Sequence, residues 1–252
     1  MARDISDILR EWAYEPGQIN VRLIEGADGD PKIQMRLDLG MLQMEVSGRP
    51  DGQRPHGYES LLEYYEAVIE EGAPGPEGPE EMLLSAEDCR QLRDEAVQYY
   101  HRYISMLVLG EYEGVLRDTS RNLRVLDLCR DSAEGDEDQE ILEQFRPYLL
   151  MMRARALASQ AVHESEPKAA LFAIDDGLEL IRGAFEDAGA GEEFERSNEV
   201  ALLRGMKAEL VKKLPASQKT ELRQRLREAI AVENYELAAI LRDELKNLRD
   251  HA

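Results

Sequence analysis

The spacing of apolar positions changes period twice along this chain. In "DISDILREWAY" (4–14), Ile5, Ile8, Leu9 and Trp12 recur at helical spacing behind Asp4, a residue suited to cap a helix N-terminus. "EPGQ" ends that helix, and the period then becomes two. Ile19, Val21 and Leu23 alternate with Asn20 and Arg22, and Ile33, Met35 and Leu37 alternate with Gln34, Arg36 and Asp38. "GADGDP" between the runs is turn chemistry, so the pair predicts a β-hairpin. "MLQMEV" follows with its phase shifted at Gly40, which predicts a bulge or a turn and a two- or three-stranded sheet. A sheet this small is marginal by itself and is expected to lean on a helix.

Helical spacing resumes at Tyr58, Leu61, Leu62, Tyr65, Val68 and Ile69, and "APGPEGPEE" (73–81) reads as a linker. From Ser85 onward the pattern is helical throughout. Ser85 and Asp88 form an acidic variant of the capping box. Helices are expected at about 86–108, 111–130, 138–163, 167–187, 192–213, 218–232 and 235–250. The fold class is therefore mainly α. A small N-terminal antiparallel sheet precedes a helical bundle or array and a C-terminal helical hairpin. The expected division is a module at 1–72, a linker at 73–84, an acidic helical domain at 85–213 and the hairpin at 214–252.

Composition sharpens this picture. The 252 residues are 43% hydrophobic and 33% charged, enough to bury a core, and the formal net charge is −21. The charge is segregated. Residues 57–199 carry 13 Lys/Arg against 34 Asp/Glu, whereas 200–252 carry 11 against 8. So acidic a body repels a phosphate backbone. The basic stretch Arg204–Arg227 has no aromatic stacking platform beside it, which disfavours direct nucleic-acid binding. No apolar run reaches the ~18 residues that a membrane span needs, so a cytoplasmic protein is the expectation.

Catalytic signatures are missing from the sequence. It has no P-loop, no HExxH and no GxSxG. Cys89 and Cys129 belong to no CxxC or Cys/His cluster, and the histidines stand singly. No cofactor or metal is expected. The most site-like loop is "SGRPDGQRPHG" (47–57), where Arg49, Arg54 and His56 could receive a phosphate or carboxylate group.

Two middle segments suggest paired helices. "LGEYEGVLRDTSRNLRVLDL" (109–128), through Gly110, Glu111 and Tyr112, resembles the middle of a tetratricopeptide repeat, although no strict repeat period is visible. In the second pair, Ala154, Ala156, Ala158 and Ala161 would let helices approach closely, and Pro167 marks a tight connection.

The C-terminal pattern is more specific. Leu222, Leu226, Ala229 and Ile230 form one stripe, "EN" is a tight turn, and Ala238, Leu241, Leu245 and Leu248 form a second seam. Leu226, Ala229, Tyr235, Glu236, Ala238, Ala239, Leu241, Arg242, Asp243, Leu245 and Leu248 together resemble the UVR motif, the helical hairpin of the bacterial proteins UvrB and UvrC. The resemblance spans about residues 222–248 and departs from the usual pattern at Tyr235 and Ile230. It implies a protein-docking device that pairs with another such hairpin. The implied docking residues are Leu226, Ile230, Tyr235, Ala238, Ala239, Leu241, Arg242, Asp243, Leu245 and Leu248. Self-pairing would give a homodimer. The helicase, nuclease, ATPase and CxxC zinc features of known hairpin carriers are missing, so the chain resembles bacterial proteins that join this hairpin to a different body. The expected function is a non-catalytic adaptor. The alternatives are an accessory factor of nucleotide excision repair or an adaptor of a Clp-type ATPase.

Overall fold

A computed structural model describes residues 4–75, 78–80, 83–213, 218–231, 234–235 and 237–242. The chain divides into two compact units, Met1–Lys207 and Ala208–Ala252. Each is considered by itself.

The larger unit opens with α1 (Ser6–Glu11), whose start is held by Asp4 accepting from the Ser6 amide at 3.0 Å. Three antiparallel strands follow in the order β1 (Asn20–Glu25), β2 (Pro31–Arg36) and β3 (Met41–Glu45). The phase shift at Gly40 is a turn, closed by the Leu37 amide donating to the Gly40 carbonyl. The register places Val21 opposite Met35, Leu23 opposite Ile33, and Met44 opposite Ile33. Of the apolar face that the alternation predicts, Ile33, Met35 and Met44 are buried, whereas Leu23 on the edge strand β1 is 52% exposed and Ile19 just before it 49%. The polar side chains of β2 are buried as well. Gln34 accepts from Arg22 at 2.8 Å and donates to Gln43 at 2.9 Å, Lys32 pairs with Glu45 and Asp28, and Arg36 donates to the Trp12 carbonyl. The Trp12 ring lies 4.2 Å from the Arg22 guanidinium, so the sheet's polar face is covered by α1's exit and by its own cross-strand bonds.

After the loop at 47–57 comes α2 (Leu61–Glu71), which starts at Ser60 and buries Leu61, Leu62 and Tyr65. The stretch expected as a linker contains two short paired strands, β4 (Ala73–Gly75) and β5 (Gly78–Glu80). Then come α3 (Ala86–Leu109), α4 (Tyr112–Ser132), α5 (Asp136–Glu140), α6 (Arg146–His163), α7 (Pro167–Asp187) and α8 (Asn198–Lys213). The Ser85–Asp88 capping box is present, with each residue's side chain accepting from the other's amide. Two expected helices are broken. The one at 138–163 divides into α5, a 3₁₀ turn at Glu143–Phe145 and α6. Pro147 has no N–H and its ring clashes with a preceding helical carbonyl, so it favours the first turn of a new helix over the interior of an old one. The one at 192–213 begins as a 3₁₀ turn, Gly191–Arg196, and α8 starts afresh where the Ser197 hydroxyl accepts from the Val200 amide at 3.3 Å.

The main helices pack in chain order: α3 on α4, α4 on α6 and α6 on α7. Gly110 adopts a left-handed φ of 81° and lets the Glu111 amide reach back to the Met106 carbonyl at 2.9 Å, a Schellman end that turns α3 into α4. Ser165 closes α6 in the same way with φ 64°. The alanine row of α6 is buried, as the small-residue pattern predicts. At Gly177 of α7 any Cβ would overlap the Ala154 Cβ, so glycine permits this helix contact.

A buried ionic network ties these layers together. Glu95 and Arg102 on α3, and Asp118, Arg121 and Asn122 on α4, are all buried. Arg102 grips Asp118 with two bonds of 2.7 and 2.9 Å. Its remaining Nη1 donates to the Glu45 and Gly48 carbonyls at 3.1 and 2.7 Å, which fixes the end of β3 and the following loop to the helices. Glu95 receives Arg121 on one oxygen and the Leu61 amide, the first of α2, on the other at 2.9 Å. The Tyr99 ring lies against both guanidinium groups, 4.8 Å from Arg102 and 4.2 Å from Arg121. Burial pulls the Arg121 guanidinium down to about 9, which still leaves it cationic at neutral pH.

Removing one member of this network strands its partner's charge. Arg102→Ala is expected to cost about 3–5 kcal/mol in denaturant unfolding, and the paired change Arg102→Met with Asp118→Leu to cost less. Hydrogen exchange should show the amides near Gly48 losing protection in both variants, because both lose the bonds to the Glu45 and Gly48 carbonyls.

A second expectation concerns acid. Burial works to raise the Asp88 carboxyl, but hydrogen bonds from the Ser85 hydroxyl, the Tyr65 hydroxyl and the Ser85 amide together hold it below its ordinary 3.8. A depressed folded value contributes stability above the unfolded value, and that contribution is lost as pH falls through the folded one. Asp88→Asn should therefore cost about 1 kcal/mol at neutral pH. The gap from wild type in unfolding midpoint should narrow as pH drops below 3.8.

Candidate functional site

In the smaller unit, α9 spans Gln218–Ala231, and residues 235 and 237–242 are helical. The turn is built by Asn234. Its amide reaches the Ala229 carbonyl at 2.8 Å, and its side chain accepts from the Leu237 amide at 3.1 Å as the cap of the second helix. One residue thus ends α9 and starts its neighbour, which explains why so short a connection suffices.

The hairpin has its own small core. Ala229, Ala238 and Leu241 are buried against one another, with Leu226 partly buried beside them. The alanines let the two helix axes come near enough for Leu241 to reach across. Larger apolar side chains face outward: Ile230 is 52% exposed, Tyr235 68% and Ile240 57%, with Leu237 at 37%. The ten residues expected to dock a partner therefore separate by position. Leu226, Ala238 and Leu241 hold the hairpin together, while Ile230, Tyr235, Ala239 and Arg242 are exposed. Asp243, Leu245 and Leu248 lie outside the described residues. Leu237 and Ile240 are exposed residues that the sequence reading missed. The available signal was their place beside the seam residues Ala238 and Leu241, one position out of phase with the buried stripe.

Charge on the basic stretch is partly neutralised. Arg204 makes a fork with Glu195 at 2.6 and 2.9 Å, Lys207 pairs with Asp175, and Lys212 pairs with Glu209. Paired cations attract a phosphate backbone less than the bare count suggests. Arg225 and Arg227 are exposed on α9.

The second expected site, at 47–57, does not bring its three residues together. Arg49 turns inward, 3.2 Å from Glu95 and 3.3 Å from Asp51, and belongs to the ionic network. His56 takes a left-handed φ of 51° and stacks on Tyr64 with ring centroids 4.0 Å apart. Arg54 is exposed. The loop is thereby braced from both ends, at the core by Arg49 and at α2 by His56. Cys89 and Cys129 are both buried, and burial pushes both thiols up, Cys129 to about 12, which makes them poor nucleophiles and metal ligands. Among the described residues no group of His, Cys, Asp and Glu is placed to hold a metal ion, and no helix is long and apolar enough to cross a membrane.

With this geometry in view, comparison with known families places a UvrB/uvrC motif at residues 216–250. The matched span contains α9, the Asn234 turn and the helical residues after it. No curated protein and no solved structure matches the chain.

The division of roles can be checked directly. Ala238→Glu places a charge inside the hairpin core and is expected to melt this unit, read as lost amide protection over 224–242. Ile240→Asp alters an exposed position and should change unfolding free energy by only about 0.5 kcal/mol or less.

Proposed function

We propose that this chain is a non-catalytic interaction protein whose C-terminal hairpin docks a protein partner through its exposed apolar side chains. The observation that carries this reading is the set Ile230, Tyr235, Leu237 and Ile240, left outside a hairpin whose alanines and Leu241 already satisfy its interior. The UvrB/uvrC motif at 216–250 supports it, since the resemblance implies a docking device that pairs with another such hairpin. An exposed apolar patch rimmed by polar residues marks an interaction site. The acidic body disfavours nucleic acid as that partner, and the pairing of Arg204, Lys207 and Lys212 with carboxylates supports the same conclusion. The partner's class is a second hairpin of the same kind, carried by another protein or by a second copy.

Affinity purification with the full chain, run beside an Ile230→Asp/Ile240→Asp variant, tests this. A partner bearing its own UVR hairpin should be recovered by the wild type and depleted about tenfold or more by the variant. Equal recovery by both would move docking away from this surface. Light scattering over rising concentration separates the two forms of pairing. A dimer that the double variant abolishes identifies self-association, and a monomer throughout assigns the hairpin to a different protein.

A further inference from the structure

A groove of 580 Å³ is lined by residues of the larger unit. Its walls are α3 and the start of α6, and its floor is α4. Val97 and Tyr100 stand on one wall, Phe145 and Tyr148 on the other, and Leu126 and Leu149 lie beneath. Tyr100 sits 5.6 Å from Tyr103 and 6.3 Å from Tyr148, ring to ring, so aromatic faces line much of its length. The lining is almost wholly apolar, yet Val97 is 52% and Phe145 51% exposed. Val97 and Phe145 come from different helical segments and stand at the two lips of one trough, which distinguishes them from scattered surface hydrophobes.

Charge indicates what the trough would accept. One end is bounded by α5, where Arg93 of the groove wall pairs with Asp138 at 3.1 Å and neutralises it. The neighbouring Glu134, Asp136, Glu137 and Glu140 are all exposed, and none has an ion-pair partner among the described residues. At the other wall Arg155 and Glu199 both lie near Tyr148, so charge there is mixed. The polarity of the groove is therefore set by the acidic end, inside a body already strongly negative.

We propose that this groove is a second docking surface, and that its occupant is an amphipathic helix of another protein with large apolar anchors on one face and Lys or Arg along its flank. The shape favours a helix, because a trough between two helical walls accepts side chains recurring at i, i+3, i+4 and i+7. The exposed carboxylates at the α5 end are complementary to a basic flank and would speed encounter with it. The proposal makes the molecule two-handed, with a hairpin for one protein and a groove for another.

A displayed library of random 16-residue helical peptides, selected on the immobilised full chain, tests this. Enriched peptides should carry aromatic or leucine anchors at helical spacing together with Lys or Arg. A Val97→Asp/Phe145→Asp variant, with both changes at exposed positions and its fold checked by circular dichroism, should bind them about tenfold or more weakly. Glu137→Lys/Glu140→Lys should also weaken them and flatten the salt dependence. The Ile230→Asp/Ile240→Asp hairpin variant should bind them as the wild type does, which separates failure of this proposal from failure of the hairpin reading. The proposal is overturned if no peptide is enriched, if enriched peptides are acidic, or if they bind the Val97/Phe145 variant equally. It is likewise overturned if the groove takes a small apolar dye in a Val97-dependent manner while no peptide competes for it.

Discussion

The bidentate contact between Arg102 and Asp118 is the constraint on which the larger unit depends. It joins α3 to α4 at a point where neither residue touches water, and the same guanidinium holds the carbonyls of Glu45 and Gly48. Glu95 does the same two helical turns away on the same face of α3, receiving Arg121 from α4, the first amide of α2, and Arg49 from the loop. Sheet, loop and α2 are thereby referenced to a single pair of helices. A buried ion pair is weak evidence for net stability, since desolvation offsets much of the attraction. Its consequence here is positional. The loop cannot shift without leaving a charge or a carbonyl unsatisfied, and the Tyr99 ring between the two arginines gives the cations a further reason to stay.

Serial packing is the second organising feature. The helices α3, α4, α6 and α7 rest on one another in chain order, and left-handed ends at Gly110 and Ser165 turn the chain back at α3–α4 and α6–α7. A row of helices buries each apolar stripe against neighbours on two sides, which explains why α6, caught between α4 and α7, is lined with alanine. It also leaves a trough where two walls share one floor helix. In the smaller unit Asn234 bonds to both helices of the hairpin, with alanines again setting the helix separation.

Legibility varied with how local the cause was. The period-two runs around Val21, Ile33 and Met44, the capping box at Ser85 and Asp88, and the Gly110 turn were all readable, because each is decided within a few residues. The breaks at Pro147 and Ser197 were readable in principle but lay inside long helical patterns that masked them. The buried charges were harder. Glu95 and Arg102 fall at intervals of three and four among Leu92, Tyr99, Tyr103 and Met106, so they occupy the apolar stripe of α3. That is the one sequence signal for such a network, and an acidic composition hides it among many glutamates with solvated side chains. Arg49 resembles a ligand-binding loop residue in the sequence because nothing nearby reveals that Glu95 lies beside it.

The sequence by itself determined the mainly α class, the small N-terminal sheet, the segregation of charge and the UVR-like hairpin at the C-terminal end. Those properties rest on periodicity, turn chemistry and a compact motif, all of them short-range. Only the tertiary structure decided which hairpin residues form its interior and which remain outside, where Arg49 and His56 point, and that Val97 and Phe145 share a groove. The physical reason is that burial is a property of pairs. A side chain's environment is set by residues far along the chain, such as Ala229 for Leu241 or Asp118 for Arg102, and no local pattern records which distant segment will arrive beside it.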